Sequence, residues 1–143
     1  MVSTLAKGGN AALTDRNVEL AVAARGVEAD VSALLLGPNG KVRTDNDLVF
    51  YNNPVQDGVS VSERTVTVQL SEIPGGVTSV VIVASADPTH PGSVFTAAPI
   101  LTIAQLGSAP LSFTPPDFIA RETVVVLAEL YRRGDGWKVR AVG

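Results

Sequence analysis

The chain has 143 residues, 45% of them hydrophobic and 17% charged, with a formal net charge of −3 and a pI near 5.0. That length and balance suit one globular domain with a real core and exclude a disordered chain. The acidic balance leaves no nucleic-acid footprint, since Arg132-Arg133 is the sole adjacent basic pair. Disulfides, zinc–thiolate sites and thiol catalysis fall away with the absence of cysteine. No apolar run approaches the roughly 18 residues of a membrane span, and the start M-V-S-T-L-A-K has no secretory apolar region. The expected compartment is the cytoplasm.

Short apolar or alternating runs separated by Gly, Pro, Asn and Asp predict strands over 18–24, 31–36, 48–51, 65–70, 79–85, 100–103, 111–113, 123–131 and 137–142. The Lys7-Gly8-Gly9-Asn10 stretch that precedes them reads as a hairpin turn rather than a phosphate cradle. The segment 17–25 is rich in alanine, yet Val18, Leu20 and Val22 alternate, which favours strand over helix. In 65–70 the alternation puts Val66, Val68 and Leu70 on one face, and Val80-Val81-Ile82-Val83 is apolar on both, as in a covered central strand. Turn residues punctuate the runs at 37–40, 52–54, 74–76, 88–92, 114–117 and 134–136. One helical turn is expected near 116–120. The sum predicts an all-β fold, an antiparallel two-sheet β-sandwich with minor helix, in a single domain over 1–143.

Candidate chemistry concentrates in the segment 41–53, K-V-R-T-D-N-D-L-V-F-Y-N-N, with E-A-D-V-S upstream. A strand repeats every two residues, so Glu28, Asp30 and Ser32 share a face, as Asp45 and Asp47 would. The turn at 37–40 could bring these groups together, with Asn52 and Asn53 completing a shell of oxygens. Ca²⁺ takes six to eight oxygen ligands, which makes Asp30, Ser32, Asp45, Asp47, Asn52 and Asn53 the candidate metal set. The alternative is a polar strand end, where Asp and Asn stabilise turns through their own side chains. Asp47, directly before the strand, would either ligate the cation or cap the entry turn. His90 is the sole histidine and sits in a proline-flanked loop with no G-x-S-x-G serine anywhere in the chain, so no catalytic triad is expected. Tyr131 and Trp137 flank the 134–136 turn and could pack across it, with core packing expected over a ligand-stacking role.

The stretch D-N-D-L-V-F-Y-N-N after N-G-K-V-R resembles the signature of the tellurite-resistance (TerD-type) stress proteins of bacteria. So do Leu5 to Thr14 (L-A-K-G-G-N-A-A-L-T), Glu28 to Leu36, and E-L-Y-R…W-K-V-R-A-V-G from Glu129 to Gly143. The resemblance spans nearly the whole chain. It implies a calcium-binding β-sandwich of non-enzymatic, stress-responsive type that engages protein partners. It also implies Asp30, Ser32, Asp45, Asp47, Asn52 and Asn53 as matching site positions. The long acidic loop usual after F-Y-N-N is short here, with Asp57 and Glu63 as its remaining acids, and Glu28 stands where aspartate is usual. A weakened Ca²⁺ site, or a metal-free interaction module, is therefore expected. The family usually continues past A-V-G, so the sequence reads as an abbreviated member or as a domain cut from a longer chain.

Overall fold

The computed structural model describes residues 3–24, 29–86, 98–105, 108–115 and 123–142. Two sheets face each other. The seven-stranded sheet runs β1 (Ser3–Thr4), β11 (Leu111–Phe113), β10 (Ile100–Gln105), β3 (Asn17–Ala23), β8 (Thr65–Gln69), β7 (Val59–Ser62) and β6 (Val55–Gln56). The six-stranded sheet runs β2 (Asn10–Leu13), β13 (Gly136–Ala141), β12 (Val124–Arg133), β9 (Ser79–Ala86), β4 (Ala29–Leu36) and β5 (Leu48–Val49). The fold is an all-β sandwich, as the alternation predicts.

Alternation decides which side chains meet between the sheets. In β3, Val18, Leu20 and Val22 are buried and their neighbours exposed, which resolves the alanine-rich segment as strand. In β4, Ala29, Val31, Ala33 and Leu35 point inward while Asp30 and Ser32 point out. Val66, Val68 and Leu70 are all buried, as their spacing requires. Strand β9 is central, paired with β4 from Ala29↔Ala86 to Leu36↔Ser79 and with β12 on its other edge. Fully buried Phe113, Leu20, Leu35, Ile82, Leu101 and Leu127 fill the middle. Burying a side chain of that size gains about 1.5–3 kcal/mol.

All nine predicted strands exist, and among the described residues four more do not show in the sequence pattern: β1, β2, β6 and β7. The run 48–51 shortens to Leu48–Val49. Phe50 and Asn53 exchange backbone bonds (Phe50 N to Asn53 O 3.1 Å, Asn53 N to Phe50 O 2.9 Å), and that tight turn takes the chain off the sheet. The sandwich is not wholly antiparallel, since β1 runs parallel to β11. Nor does the Lys7–Asn10 stretch make a hairpin. It carries the chain from β1 in one sheet to β2 in the other, pinned by Gly8 N to Ala141 O and Ala141 N to Gly9 O. Among the described residues the helical content is two 3₁₀ turns, Asp45–Asp47 and Leu70–Glu72. Glu28, His90 and the turn expected at 116–120 lie outside the described residues.

Candidate cation and partner-binding site

The Gly37–Gly40 turn closes as a hairpin, with Gly40 N to Gly37 O at 2.9 Å and a bridge between Leu36 and Val42. After it the chain is not extended. Thr44 accepts from Asn46 N through its hydroxyl and starts the 3₁₀ turn Asp45–Asp47. Asp45 and Asp47 therefore part company: Asp45 is exposed, whereas Asp47 has 0% exposure. The capping role belongs to Thr44.

The Asp47 carboxylate is filled by Arg43. Its Oδ2 accepts from Arg43 N (2.9 Å) and Nε (2.8 Å), and its Oδ1 accepts from Arg43 Nη2 (2.8 Å). The same Nη2 donates to Asp57 Oδ2 at 2.7 Å. Asp57 sits in the two-residue turn between β6 and β7, so the guanidinium ties the approach to β5 in one sheet to a hairpin of the other. The hydrogen bonds from Arg43 outweigh burial and hold the Asp47 carboxyl below its ordinary range. Asp47 and then Asp57 push the Arg43 guanidinium up in turn.

Asn53 also works as a structural clip. Its Nδ2 donates to Asn46 O and Leu48 O, both at 2.9 Å, and so fixes the loop from 46 to 53. Asn52 is exposed. Asp30 and Ser32 share the outer face of β4, as predicted, and line a groove of about 550 Å³ that opens at the flank between the sheets. Val31 and Ser85 border it from the six-stranded sheet, Phe50, Tyr51 and Pro54 from the turn after β5, and Val61 and Glu63 from the opposite sheet. A hollow of about 400 Å³, sharing Asp30 and Glu63, lies beside it along Ala29, Arg64 and Thr65. Glu63, missed as a groove residue by the sequence reading, lies in the tight β7–β8 turn with a φ of 54°. The two-residue spacing between runs 59–62 and 65–69 was the available signal.

At the far end of the six-stranded sheet, Tyr131 pairs with Lys138 and Arg132 with Trp137, so Tyr131 and Trp137 face opposite sides and do not pack together, while Trp137 enters the core as expected. Arg132 stacks its guanidinium 4.5 Å from the Trp137 ring. It also donates to Val77 O (2.9 Å), Ile73 O (3.2 Å) and Pro74 O (3.0 Å). Glu129 pairs with Arg140, which lies over the Tyr131 ring. The terminal motif is thus a set of side chains that fasten a hairpin.

The TerD-domain family model matches residues 1–143. The chain belongs to the TerD family. Tellurium resistance proteins TerD of Alcaligenes sp. and Serratia marcescens are each 30% identical over 173 aligned positions, covering all of this chain and 90% of the relative. General stress protein 16U of Bacillus subtilis is 25% identical over the same share of each chain. A crystal structure of a homologue of telluride resistance protein (TerD) from Streptomyces coelicolor A3(2) superposes with a TM-score of 0.69 at 13% identity, covering 90% of this chain and 89% of that one. Matching 143 residues to 173 positions leaves the TerD relatives with extra residues inside the matched span, in keeping with the short loop here.

Ca²⁺, implied by the TerD resemblance, finds a poor fit in the six residues taken as one set. Both oxygens of Asp47 are engaged by a guanidinium, and the Asn53 Nδ2 donates to two carbonyls, which fixes the side chain while leaving its Oδ1 outside those bonds. Among the described residues no three His, Cys, Asp or Glu side chains converge. Two carboxylates and a hydroxyl remain around the groove, on Asp30, Glu63 and Ser32.

Proposed function

We propose that the chain serves a tellurium-resistance or stress-type role as a binding protein with no chemical step of its own, and that its working surface is the flank carrying the groove. The groove is the observation that supports this reading. It combines apolar and aromatic walls with a few polar groups at its margin, the composition that binding clefts favour, and it adjoins the segment 41–53 that carries the family resemblance. Among the described residues no helix is long and apolar enough to cross a membrane, and a cytoplasmic site of action suits the reading.

A second reading retains Ca²⁺ at Asp30 and Glu63. Neither carboxylate has a side-chain hydrogen bond among the described residues, and Ser32 stands on the same face as Asp30. With so few charges the affinity falls at the weak, millimolar end of calcium sites. Melting in chelator and in roughly 5–10 mM Ca²⁺ tests it: a rise that disappears in Asp30→Asn supports the site, and superimposable curves remove it.

For the main reading, a strain deleted for its own copy is complemented with wild-type protein or with Asp30→Lys/Glu63→Lys. The double variant should melt like wild type and fail to restore growth under tellurite or general stress. Full protection by that variant would sink the reading.

A further inference from the structure

Among the described residues one edge of β4 is open beside the groove. Strand β5 pairs with β4 only at Ala33↔Val49 and Leu34↔Leu48, and then the Phe50–Asn53 turn takes the chain away. From Ala29 to Ser32 that edge has no strand partner among the described residues. Backbone direction follows from one bond. Thr78 N donates to Leu36 O at 2.8 Å, so Leu36 points its polar groups at β9, and Gly37 N turns the other way, to Lys41 O. Directions alternate along a strand. Leu34, Ser32 and Asp30 therefore face β9, and Ala33, Val31 and Ala29 face the β5 side. Ala33 is met by Val49. The N–H and C=O of Val31 are aimed into the groove with no partner among the described residues, a position that costs free energy unless water or another chain meets them.

We propose that this edge takes up an extended, basic segment of a protein partner by strand addition, continuing the line that β5 abandons at Val49. The inference rests on the groove flank being the working surface. An added residue opposite Val31 exchanges backbone bonds with it and turns its side chain inward, toward Val61 and the apolar wall. Its neighbours in sequence turn outward, alongside Asp30 and Ser32, because opposed residues of an antiparallel pair share a face. Charge complementarity selects what those neighbours are. Asp30 and Glu63 border the groove, and the ring of Tyr51, 65% exposed, stands beside it as a platform for a cation. The segment that fits alternates apolar and basic residues, and an acidic one is repelled by the same carboxylates.

The test uses a labelled peptide, acetyl-Val-Lys-Val-Lys-Val-Lys-amide, its glutamate counterpart, and two N-methylated forms. N-methylation of the valines blocks the backbone groups that face Val31, whereas N-methylation of the lysines leaves them free. Fluorescence anisotropy near physiological salt should show the lysine peptide and its N-methyl-lysine form binding, with the glutamate and N-methyl-valine forms at least about ten-fold weaker. Exchange of the Val31 amide should slow about ten-fold at saturation. Asp30→Lys should weaken binding, while Asp135→Lys, in the distant β12–β13 turn, should not. Absence of binding, equal binding of the N-methyl-valine form, or unchanged Val31 exchange each overturns the proposal. If Asp30→Lys also abolishes stress protection in cells while Val31 exchange never responds, strand addition falls and the groove reading stands. If protection survives in that variant, both fall.

Discussion

Arg43 supplies Asp47 with three hydrogen bonds and the opposite charge in a spot where the carboxylate meets no solvent. Removing one member of a buried pair costs about 3–5 kcal/mol. Arg43 itself is 32% exposed, so Arg43→Ala should cost about 3 kcal/mol, at the low end of that range, as read from denaturant midpoints. Asp47→Asn keeps one acceptor oxygen and should cost about 1–2 kcal/mol at neutral pH. The acid dependence has a definite sign. The folded carboxyl is depressed below its ordinary value of 3.8, so the unfolded chain takes up its proton first on acidification. The stabilisation is complete above that ordinary value and drains away as pH falls toward the folded one. Wild-type stability should therefore drop more steeply below about pH 4 than that of Asp47→Asn, and parallel acid profiles would contradict the pairing. The sequence made Asp47 visible as an important acid but not as this one. Arg43 and Asp47 stand four apart, a spacing that signals contact on a helix, whereas the stretch read as strand, where residues four apart lie too far from each other to pair.

At the scale of elements, the short hairpin β6–β7 turns through Asp57 and Gly58, both with positive φ, at 47° and 88°. A Cβ on Gly58 would come within 2.9 Å of Gln69 O and 3.1 Å of Glu72 Cβ. Gly58→Ala thus adds a clash to an unfavourable backbone angle, and a loss of about 1–3 kcal/mol is expected in thermal or chemical unfolding. The Asp-Gly pair was a legible hairpin signal. It was obscured because the flanking strands are too brief to show alternation, with only two residues in β6. Longer strands such as β3 and β8 announced themselves because each has inward valines on a clear two-residue period. At the opposite end, Arg132 reaches three carbonyls and covers Trp137. Lysine keeps the charge but lacks the planar fork, so Arg132→Lys should lose about 1–2 kcal/mol. Melting identical to wild type would mean that those carbonyls are satisfied equally well by water.

For the molecule as a whole, partners lie far apart in sequence: Ser3 pairs with Leu111, Asn10 with Arg140, and Ala23 with Ile100. Sandwiches built from such pairings must close long loops before contacts reward them, and they fold in milliseconds to seconds. Stopped-flow refolding followed by the single tryptophan should fall in that range, and microsecond folding would be inconsistent with this topology. The architecture was legible because strand spacing and binary pattern are local. The parallel β1–β11 pair and the crossing at Lys7–Asn10 were not, because nothing in a dozen residues states which sheet each will join. The site was half legible for the same reason: Asp30 and Ser32 share a face by strand period alone, while Glu63 reaches the groove only through tertiary packing.

The chain passes between the sheets on both flanks of the sandwich, and one flank adds a latch of charge, as a clasp is added to a bound book. On the other flank the chain runs from β1 to β2 through Lys7–Gly9. On the latch side the chain also crosses, from β5 to β6 through residues 50–54, and beside that crossing the Arg43 guanidinium spans Asp47 and Asp57. A covalent crossing is indifferent to acid, but the latch weakens when the Asp47 carboxylate takes up its proton. Acidification below about pH 4 should therefore loosen this flank first, exposing amides of β5 to β7 to exchange before those of β2, β11 and β13. The groove lies on the latch side, so the edge of β4 is set where the molecule yields first.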